Sequence, residues 1–153
     1  MKILTVPNPV LISKSEEVTD FNYANELFID MKQVAIDNNL IGMAASQIGI
    51  LKCMFIVNFE TIDNTPKWKA FINPKIKFNQ AKGKEFAWES CGSIPNVSAL
   101  VERHKEIDIT AQNLQGEIFS LNLQGIWARV CQHEYSHNQG ILITKIARQI
   151  KRL

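Results

Sequence analysis

The hydrophobic residues of this chain follow helical spacing in one long segment. Between residues 22 and 38 they recur every three or four positions, which predicts an amphipathic helix with one buried stripe. Asp20 stands before this segment, where it can cap the helix, and Gly42 lies beyond its end. A second helix is predicted from near Gln124 to Gly140, because glycine often follows a last helical turn.

Two segments before the middle of the chain have the composition of β-strands. Residues 53–59 and 70–76 are apolar and rich in β-branched and aromatic side chains. Pro74 interrupts the second segment, which favours an edge strand or a bulge, since proline cannot donate a hydrogen bond to a neighbouring strand. The preceding residues 1–18 are predicted to be irregular and extended.

Two later segments alternate apolar and polar residues, with the period expected of half-buried strands. They cover residues 107–111 and 118–123, and residues 113–116 are predicted to form the turn between them. Residues 83–100 are predicted to be a loop in part. Residues 141–153 return to helical spacing, and their basic side chains are expected to be solvated. Strands in the middle with a helix near each end predict an α+β fold.

Composition narrows the class of protein. The 153 residues fit a single domain spanning 1–153, with 46% hydrophobic and 21% charged residues. The net charge of +2 argues neither for nor against nucleic-acid binding, but there is no long basic run, so no direct nucleic-acid binding is predicted. No apolar stretch is long enough for a membrane helix. The three dispersed cysteines favour a reducing compartment, and the N-terminal residues do not resemble a signal peptide.

The strongest chemical signal is the sequence His-Glu-Tyr-Ser-His at residues 133–137. His133 and His137 are four residues apart, so they lie on one face of a helix and can bind one metal ion. Glu134 beside them can accept a proton from an activated water, which is the arrangement of a hydrolytic site. The alternative is a polar surface helix with two unremarkable histidines.

A catalytic metal usually has a third protein ligand. Cys91 is preferred, because Gly92 and Pro95 bend the chain beside it and allow close approach to a metal. His104 is available, and Cys91 could instead be a buried small hydrophobic residue. A third segment, residues 41–49, is rich in small residues and carries one polar side chain, Gln47, which could face a ligand or form a core hydrogen bond.

With these three segments in order, the chain resembles the peptide deformylase family. Residues 40–47 read Leu-Ile-Gly-Met-Ala-Ala-Ser-Gln against the family motif G-x-G-x-A-A-x-Q. Residues 89–93 read Glu-Ser-Cys-Gly-Ser against E-G-C-L-S, and residues 132–137 read Gln-His-Glu-Tyr-Ser-His against Q-H-E-x-D-H. The resemblance covers roughly residues 3–145 and implies antiparallel and mixed strands packed around a central metal-binding helix.

The resemblance implies a role for each matching residue. Cys91, His133 and His137 would hold the metal, with Fe²⁺ expected in the cell and Zn²⁺ or Ni²⁺ in purified protein. Glu134 would act as the general base on the attacking water. Gln47 and the backbone N–H of Gly92 would stabilise the oxyanion that develops on the formyl group. The methionine side chain of the substrate would bind beside four further residues: Ile41, Gly42, Ile126 and Val130.

The implied function is removal of the formyl group from formyl-methionyl peptides or nascent proteins, with release of formate. The ribosome is a further partner that the resemblance suggests, and the expected location is the bacterial cytoplasm. The chain ends at Leu153, soon after His137, whereas many family members continue into a longer C-terminal helix. Short forms are typical of members encoded by bacteriophages, so a phage source is one expectation.

Four positions depart from the family motifs. Ser136 replaces an aspartate, so a carboxylate beside the metal helix is missing, and Arg103 keeps Glu89 as its obvious partner. Ser90 and Gly92 alter the second motif on both sides of the cysteine, and residue 40 of the first motif is leucine. Two other interpretations stay open: a metallopeptidase that cleaves internal peptide bonds, and a non-catalytic protein that binds formyl peptides.

Overall fold

The computed structural model describes residues 1–60 and 63–153, and these form an α+β fold. Within the described residues there are three α-helices, α1 (Phe21–Asp37), α2 (Gly125–Asn138) and α3 (Ile143–Ile146). The strands are β1 (Gly42–Ala44), β2 (Met54–Asn58), β3 (Trp68–Phe78), β4 (Lys84–Cys91), β5 (Ile94–His104), β6 (Glu106–Gln112), β7 (Ile118–Gln124) and β8 (Gln149–Arg152). Short 3-10 helices cover Pro9–Ile12, Ala45–Ile48 and Gln80–Lys82.

A five-stranded antiparallel sheet in the order β1-β2-β3-β6-β7 separates the two long helices. Strand β2 is buried along its whole length, because its alternate side chains face opposite helices. Met54 and Ile56 belong to the core beneath α1, whereas Phe55 and Val57 belong to the core beneath α2. The sheet therefore fixes α2 against a rigid surface.

Both long helices match their predicted positions. The Asp20 side chain accepts hydrogen bonds from the backbone N–H groups of Asn22 and Tyr23 at the start of α1, at 3.0 and 3.1 Å. Gly140 follows α2 with a φ of +74°, a conformation that glycine adopts without strain. Among the described residues, none of the helices combines the length and apolarity needed to cross a membrane.

The predicted strand at residues 70–76 is part of β3, and Pro74 lies in a bulge rather than on a sheet edge. The register between β3 and β6 shifts between Ile72 and Lys75. Asn73 adopts a φ of +51° there, and its side chain binds both backbone polar groups of Val18. The bulge therefore lets an internal strand tolerate proline.

The prediction of a partial loop at residues 83–100 is wrong. Strands β4 and β5 occupy most of this region and form a second antiparallel sheet in the order β4-β5-β8. Gly92 and Ser93 are the turn of this hairpin, so the turn signals mark its tip and not a long loop. The helical interpretation of residues 141–153 is also wrong after α3. There the chain forms β8, in which Ile150 pairs with Ala99 of β5.

Candidate metal centre and active site

Helix α2 presents both histidines and the glutamate of the central motif towards the protein interior. The His133 and His137 rings lie one turn apart with their centroids 5.1 Å from each other. His137 and Glu134 are 2% and 5% exposed, so this end of the helix is unusual in burying titratable side chains. A solvated polar helix, the alternative that the pentapeptide left open, does not fit this burial.

Cys91 reaches the histidines from the end of β4, where the turn to β5 begins. Its Sγ lies 3.4 Å from Nε2 of His137, and donor atoms of Cys91, His133 and His137 all lie within 4.8 Å of one another. Ligands of a tetrahedral zinc-type ion at 2.0–2.3 Å are about 3.3–3.8 Å apart, and the Sγ–Nε2 distance of 3.4 Å lies in this range. Among the described residues, these three side chains form the group whose donor atoms are close enough together to hold a metal ion.

His104, the other ligand candidate, does not join this cluster. It lies at the far end of β5 and stacks on Phe78 with ring centroids 4.1 Å apart. Burial and the nearby Lys84 lower its pKa, which favours the neutral ring. The structure therefore brings Cys91, and not His104, to the histidine pair.

Glu89 organises the residues around the metal cluster. It lies two positions before Cys91 on β4, so both side chains are on the same face of the strand. Its Oε1 lies 2.8 Å from Nδ1 of His133, and its carboxylate accepts hydrogen bonds from Arg103 at 3.0 and 3.1 Å and from Arg129 at 2.6 Å. One buried carboxylate thus links a histidine of the candidate metal cluster to two arginines.

These contacts set the charge of Glu89 and the orientation of the His133 ring. Burial acts to raise the pKa of Glu89, but hydrogen bonds from His133 and Arg103 outweigh it and hold the pKa at about 2. Because Nδ1 of His133 bonds the carboxylate, Nε2 is the nitrogen left for a metal. This is the usual support of a metal-binding histidine by a carboxylate.

The two histidines differ in charge before metal binds. Burial lowers the pKa of His133, but hydrogen bonds to Cys91 and Glu89 and the charge of Glu134 raise it to about 10. Burial, with repulsion from His133 and Arg103, holds the pKa of His137 well below its usual range. The metal-free site therefore carries a proton on His133 that metal binding must displace.

Glu134 lies beside the cluster with no hydrogen-bond partner for its buried Oε1 among the described residues. Burial raises the pKa of Glu134 to about 7, which suits a group that both accepts and donates protons near neutral pH. Gly42 on β1 makes room for it, because a Cβ at position 42 would lie 2.9 Å from Oε2 of Glu134. A side chain at position 42 would therefore displace the carboxylate.

The Gln47 amide has a defined orientation. Its Oε1 accepts the backbone N–H of Ala44 at 3.0 Å, which leaves the NH₂ group on the other side. That group donates to Oγ of Ser93 at 3.1 Å and lies 3.8 Å from Sγ of Cys91. Gln47 is 2% exposed, so this is a buried donor fixed beside the metal ligand.

A cavity of about 330 Å³ opens onto the cluster. Its lining contains the predicted base, the two predicted oxyanion donors and the four residues predicted to bind substrate: Glu134, Gln47, Gly92, Ile41, Gly42, Ile126 and Val130. Ile41 and Ile126 are 44% and 61% exposed, whereas Val130 is 9% exposed. Apolar side chains thus line the cavity both at its open rim and at its buried base, beside the polar groups of the cluster.

Arg103 has a second partner that the sequence did not indicate. Its Nη1 donates to Oγ of Ser136 at 3.0 Å, while Nε and Nη2 bind Glu89. The serine hydroxyl in turn donates to the backbone oxygen of Gln132 at 3.0 Å. The serine that replaces the motif aspartate therefore keeps a contact with the arginine.

Sequence analysis missed two other residues around this site. Arg129 precedes His133 by four positions, so the helical spacing could have placed it on the metal face of α2. Its Nη1 donates to Glu89 on β4 and to the backbone oxygen of Val101 on β5, which ties the helix to two strands of the second sheet. Ser93 is fully buried beside Gln47, and its sequence context as a turn residue gave no signal of that role.

A helix with H-E-x-x-H and a third ligand from a neighbouring strand is the arrangement of a mononuclear metal-dependent hydrolase. A sequence model of the polypeptide deformylase family matches residues 1–153. The chain belongs to this family, whose members depend on a metal and remove N-terminal formyl groups from nascent peptides. The predicted family, fold class and enzyme activity are thereby confirmed.

Individual relatives agree with this assignment. Peptide deformylase from Thermotoga neapolitana is 35% identical over 95% of this chain and 86% of its own length. Peptide deformylase from Acidobacterium capsulatum is 33% identical over 92% of this chain and 82% of its own. The crystal structure of a probable peptide deformylase from a Synechococcus phage is 35% identical with a TM-score of 0.88, and covers 94% of this chain and 97% of that one.

Proposed function

We propose that this protein hydrolyses the formyl group of formyl-methionyl peptides with Cys91, His133 and His137 as metal ligands and Glu134 as general base. The observation that carries the proposal is that the three donor atoms lie within 4.8 Å of one another beside a cavity with an apolar rim. Water adds to the formyl carbon, the carbon–nitrogen bond breaks, and formate and a free amino terminus are released.

The residues fit a divalent ion, and ferrous iron is the proposed ion in the cell, with zinc or nickel in purified protein. A thiolate and two imidazoles suit all three metals. Nε2 of His137 lies 3.4 Å from Sγ of Cys91, so this nitrogen is the one that would bind the ion. The buried Oε1 of Glu134 has no protein partner among the described residues, as expected for a group that faces water. When bound, the ion supplies Lewis acidity, which brings the pKa of water towards ~7.

Glu134 moves the proton in the proposed reaction. Its carboxylate accepts a proton from the attacking water and delivers it to the leaving amine. The raised pKa of about 7 supports this, because a group that titrates near the working pH transfers protons in both directions. Gly42 opposite Glu134 keeps the carboxylate close to the cavity.

Gln47 and Gly92 stabilise the developing oxyanion in the proposed reaction. The Gln47 NH₂ group is oriented by Ala44. Among the backbone hydrogen bonds that described residues form outside helices and strands, none has the Gly92 N–H as its donor. One such donor is worth ~10²–10³ in kcat in other enzymes. The methionine side chain binds between Val130 at the base and Ile41 and Ile126 at the rim.

The substrate in the cell is proposed to be the nascent chain as it leaves the ribosome, in the bacterial cytoplasm. The formyl group is a feature of new N-termini, and the open rim of the cavity leaves space for the following residues of a chain. Exposed Ile41 and Ile126 at this rim suit contact with an extended peptide.

Release of formate from formyl-Met-Ala-Ser, with metal content measured on the same sample, tests the proposal. Cys91→Ser, His133→Ala and His137→Ala are each expected to lose bound metal and activity. Matched controls are Cys53→Ser and His104→Ala, which change the same residue types outside the cluster. Both controls should keep metal and formate release.

Full metal occupancy in Cys91→Ser would remove this thiol from the site. Metal binding without formate release in the wild type would favour a non-catalytic binder. Cleavage of an N-acetylated peptide at an internal bond would favour the metallopeptidase interpretation.

A further inference from the structure

Gly92 has apolar side chains where its own side chain would be. A Cβ built at this position would lie 2.8 Å from Cδ1 of Ile3 and 3.1 and 3.2 Å from the two Cδ atoms of Leu40. Distances this short require the neighbours to move. Ile3 and Leu40 therefore fill the space beside the Gly92 backbone.

Space, and not backbone conformation, is what a side chain at position 92 would lack, because the ends of Ile3 and Leu40 would have to shift. The φ of Gly92 is not positive, so other residue types can adopt its backbone conformation. The turn alone would accept a side chain. The contact with Leu40 and Ile3 is thus a specific feature of packing at the tip of the β4–β5 hairpin.

We propose that Leu40 and Ile3 are positioning residues that hold the Gly92 backbone N–H in place for catalysis. This inference rests on the proposed function, in which that N–H is an oxyanion donor. Gly92 has no side chain to anchor it, so the two neighbours supply the apolar contact that fixes its position. Leu40 also lines the cavity, so it connects the cavity wall to the donor.

The two positioning residues are themselves well anchored. Leu40 and Ile3 pack against the core beneath α1, and the backbone N–H of Leu40 donates to the oxygen of Ala35 at 2.9 Å. The backbone beside Ile3 is held as well, because the N–H of Leu4 donates to the oxygen of Gln47 at 2.7 Å. Movement of either side chain would therefore cost packing or hydrogen bonds.

The N-terminal segment connects both proposed oxyanion donors. Leu4 binds the backbone of Gln47, and the N–H of Val6 donates to the oxygen of Ser93 at 2.9 Å. Ser93 follows Gly92 directly and also accepts from the Gln47 side chain. Residues 3–6 thus fix the separation between the two donors through one short stretch of backbone.

Leu40 and Gly92 are two of the positions that depart from the family motifs, and they contact each other. The first motif has glycine at position 40, and the second has leucine at position 92. Two departures from the motifs therefore meet at one place in this fold.

A double-mutant cycle tests the inference. Leu40→Ala should lower kcat about 10-fold with KM changed less than about 2-fold, because an oxyanion donor acts in the transition state. Gly92→Leu should also lower kcat, since Leu40 and Ile3 occupy its space. Leu40→Gly combined with Gly92→Leu should recover part of the kcat lost by each single change, and Leu40→Met should resemble the wild type.

Leu114→Ala is the matched control, because Leu114 is also a partly buried leucine on the core beneath α1 but lies away from the cavity. It should lower the melting temperature without lowering kcat. An equal fall of kcat in Leu114→Ala and Leu40→Ala would reduce Leu40 to a general stabilising role. A rise in KM with unchanged kcat in Leu40→Ala would make Leu40 a substrate contact, and either result overturns the inference.

A measurement without substrate separates this inference from the proposed function. In zinc-loaded protein labelled with ¹⁵N, the Gly92 amide should have the order parameter of rigid backbone, about 0.85. Leu40→Ala should lower it, and Leu114→Ala should not. If the wild type releases no formate, the proposed function fails and the order parameter still tests positioning. An unchanged order parameter in Leu40→Ala overturns the inference.

Discussion

Arg103 donates a hydrogen bond from Nη1 to Oγ of Ser136 at 3.0 Å while its other nitrogens bind Glu89. Arg103 and Glu89 are each 7% exposed, and Ser136 is half-buried. The neutral hydroxyl of Ser136 binds the Arg103 guanidinium less strongly than a carboxylate would. The region around the metal helix therefore has a cation in place for an acid at position 136.

Ser136→Asp should tighten metal binding by up to ~10-fold, because a further carboxylate would restrain α2 beside the ligands. Its charge should be accommodated by Arg103, so the melting temperature should stay the same or rise. Chelator competition and thermal melts measure the two effects. Ser136→Asn is the control, since it adds similar volume without charge. A lower melting temperature without metal gain would mean that the pocket is built for serine.

Glu89→Gln should weaken metal binding by ~10–100-fold, because Nδ1 of His133 loses the carboxylate that orients its ring. Glu85→Gln is the matched control, since Glu85 is an exposed glutamate on the same strand. Metal titration of both variants in the presence of a chelator gives the comparison. Equal affinity in the two variants would exclude Glu89 from the support of the metal.

Glu89 should also make stability depend on pH. Its pKa is about 2 in the folded protein against 4.5 for the free group, so its contribution is complete above pH 4.5 and is lost as pH falls towards 2. The free energy of unfolding of the metal-free wild type should fall by about 3 kcal/mol more than that of Glu89→Gln across this range. Denaturant titrations at several pH values measure it, and parallel curves would contradict the assignment.

Glu134→Gln should keep the fold and the metal but lower formate release by ~10² or more, because the amide cannot accept a proton. Wild-type turnover in this variant would exclude Glu134 as the base.

The same variant should stabilise the metal-free protein at pH 8. Burial raises the pKa of Glu134 from 4.5 to about 7, so between these values the folded state keeps a proton that the unfolded chain has lost. Stability therefore falls as pH rises through this window, by up to about 3 kcal/mol, and the glutamine removes that loss. Wild type and variant should have closely similar pH dependence below pH 4.5, which is the internal control.

Gly42→Ala should lower kcat about 10-fold by displacing Glu134, because the new Cβ would lie 2.9 Å from Oε2 of that side chain. The backbone of Gly42 is not in the left-handed region, so the fold should persist. The test is to add Gly42→Ala to Glu134→Gln, where it should cost little further activity because both changes act on one group. A full additional loss would assign Gly42 a separate role.

The helices and the histidine pair could be predicted because their signals are local. The stripe of apolar residues in α1 and the four-residue spacing of His133 and His137 need no knowledge of the rest of the chain. The β4–β5 hairpin was missed because Phe86 and Trp88 on its outer face are exposed and apolar, which obscures the usual alternation. The turn signals at Gly92 then suggested a longer loop than the two residues it contains.

The carboxylate that supports His133 was harder to predict for a different reason. Glu89 is 7% exposed, and its environment consists of Arg103 on β5 and Arg129 on α2. A buried acid is recognised by its partners, and these are distant in sequence. Strand β8 was missed likewise, since the last residues pair with an edge of β5 that only the folded sheet provides.

Cys91 and His137 are 46 residues apart and belong to different layers of the fold, because Cys91 ends a strand of the second sheet and His137 lies on a helix packed against the first. A single ion held by both is a cross-link that closes a long loop, as a disulfide does. By the loop-entropy relation for disulfides, a closure of this length is worth about 4 kcal/mol. A bound ion would thus stabilise the fold as well as take part in the reaction, and its removal would weaken the attachment of the second sheet to α2.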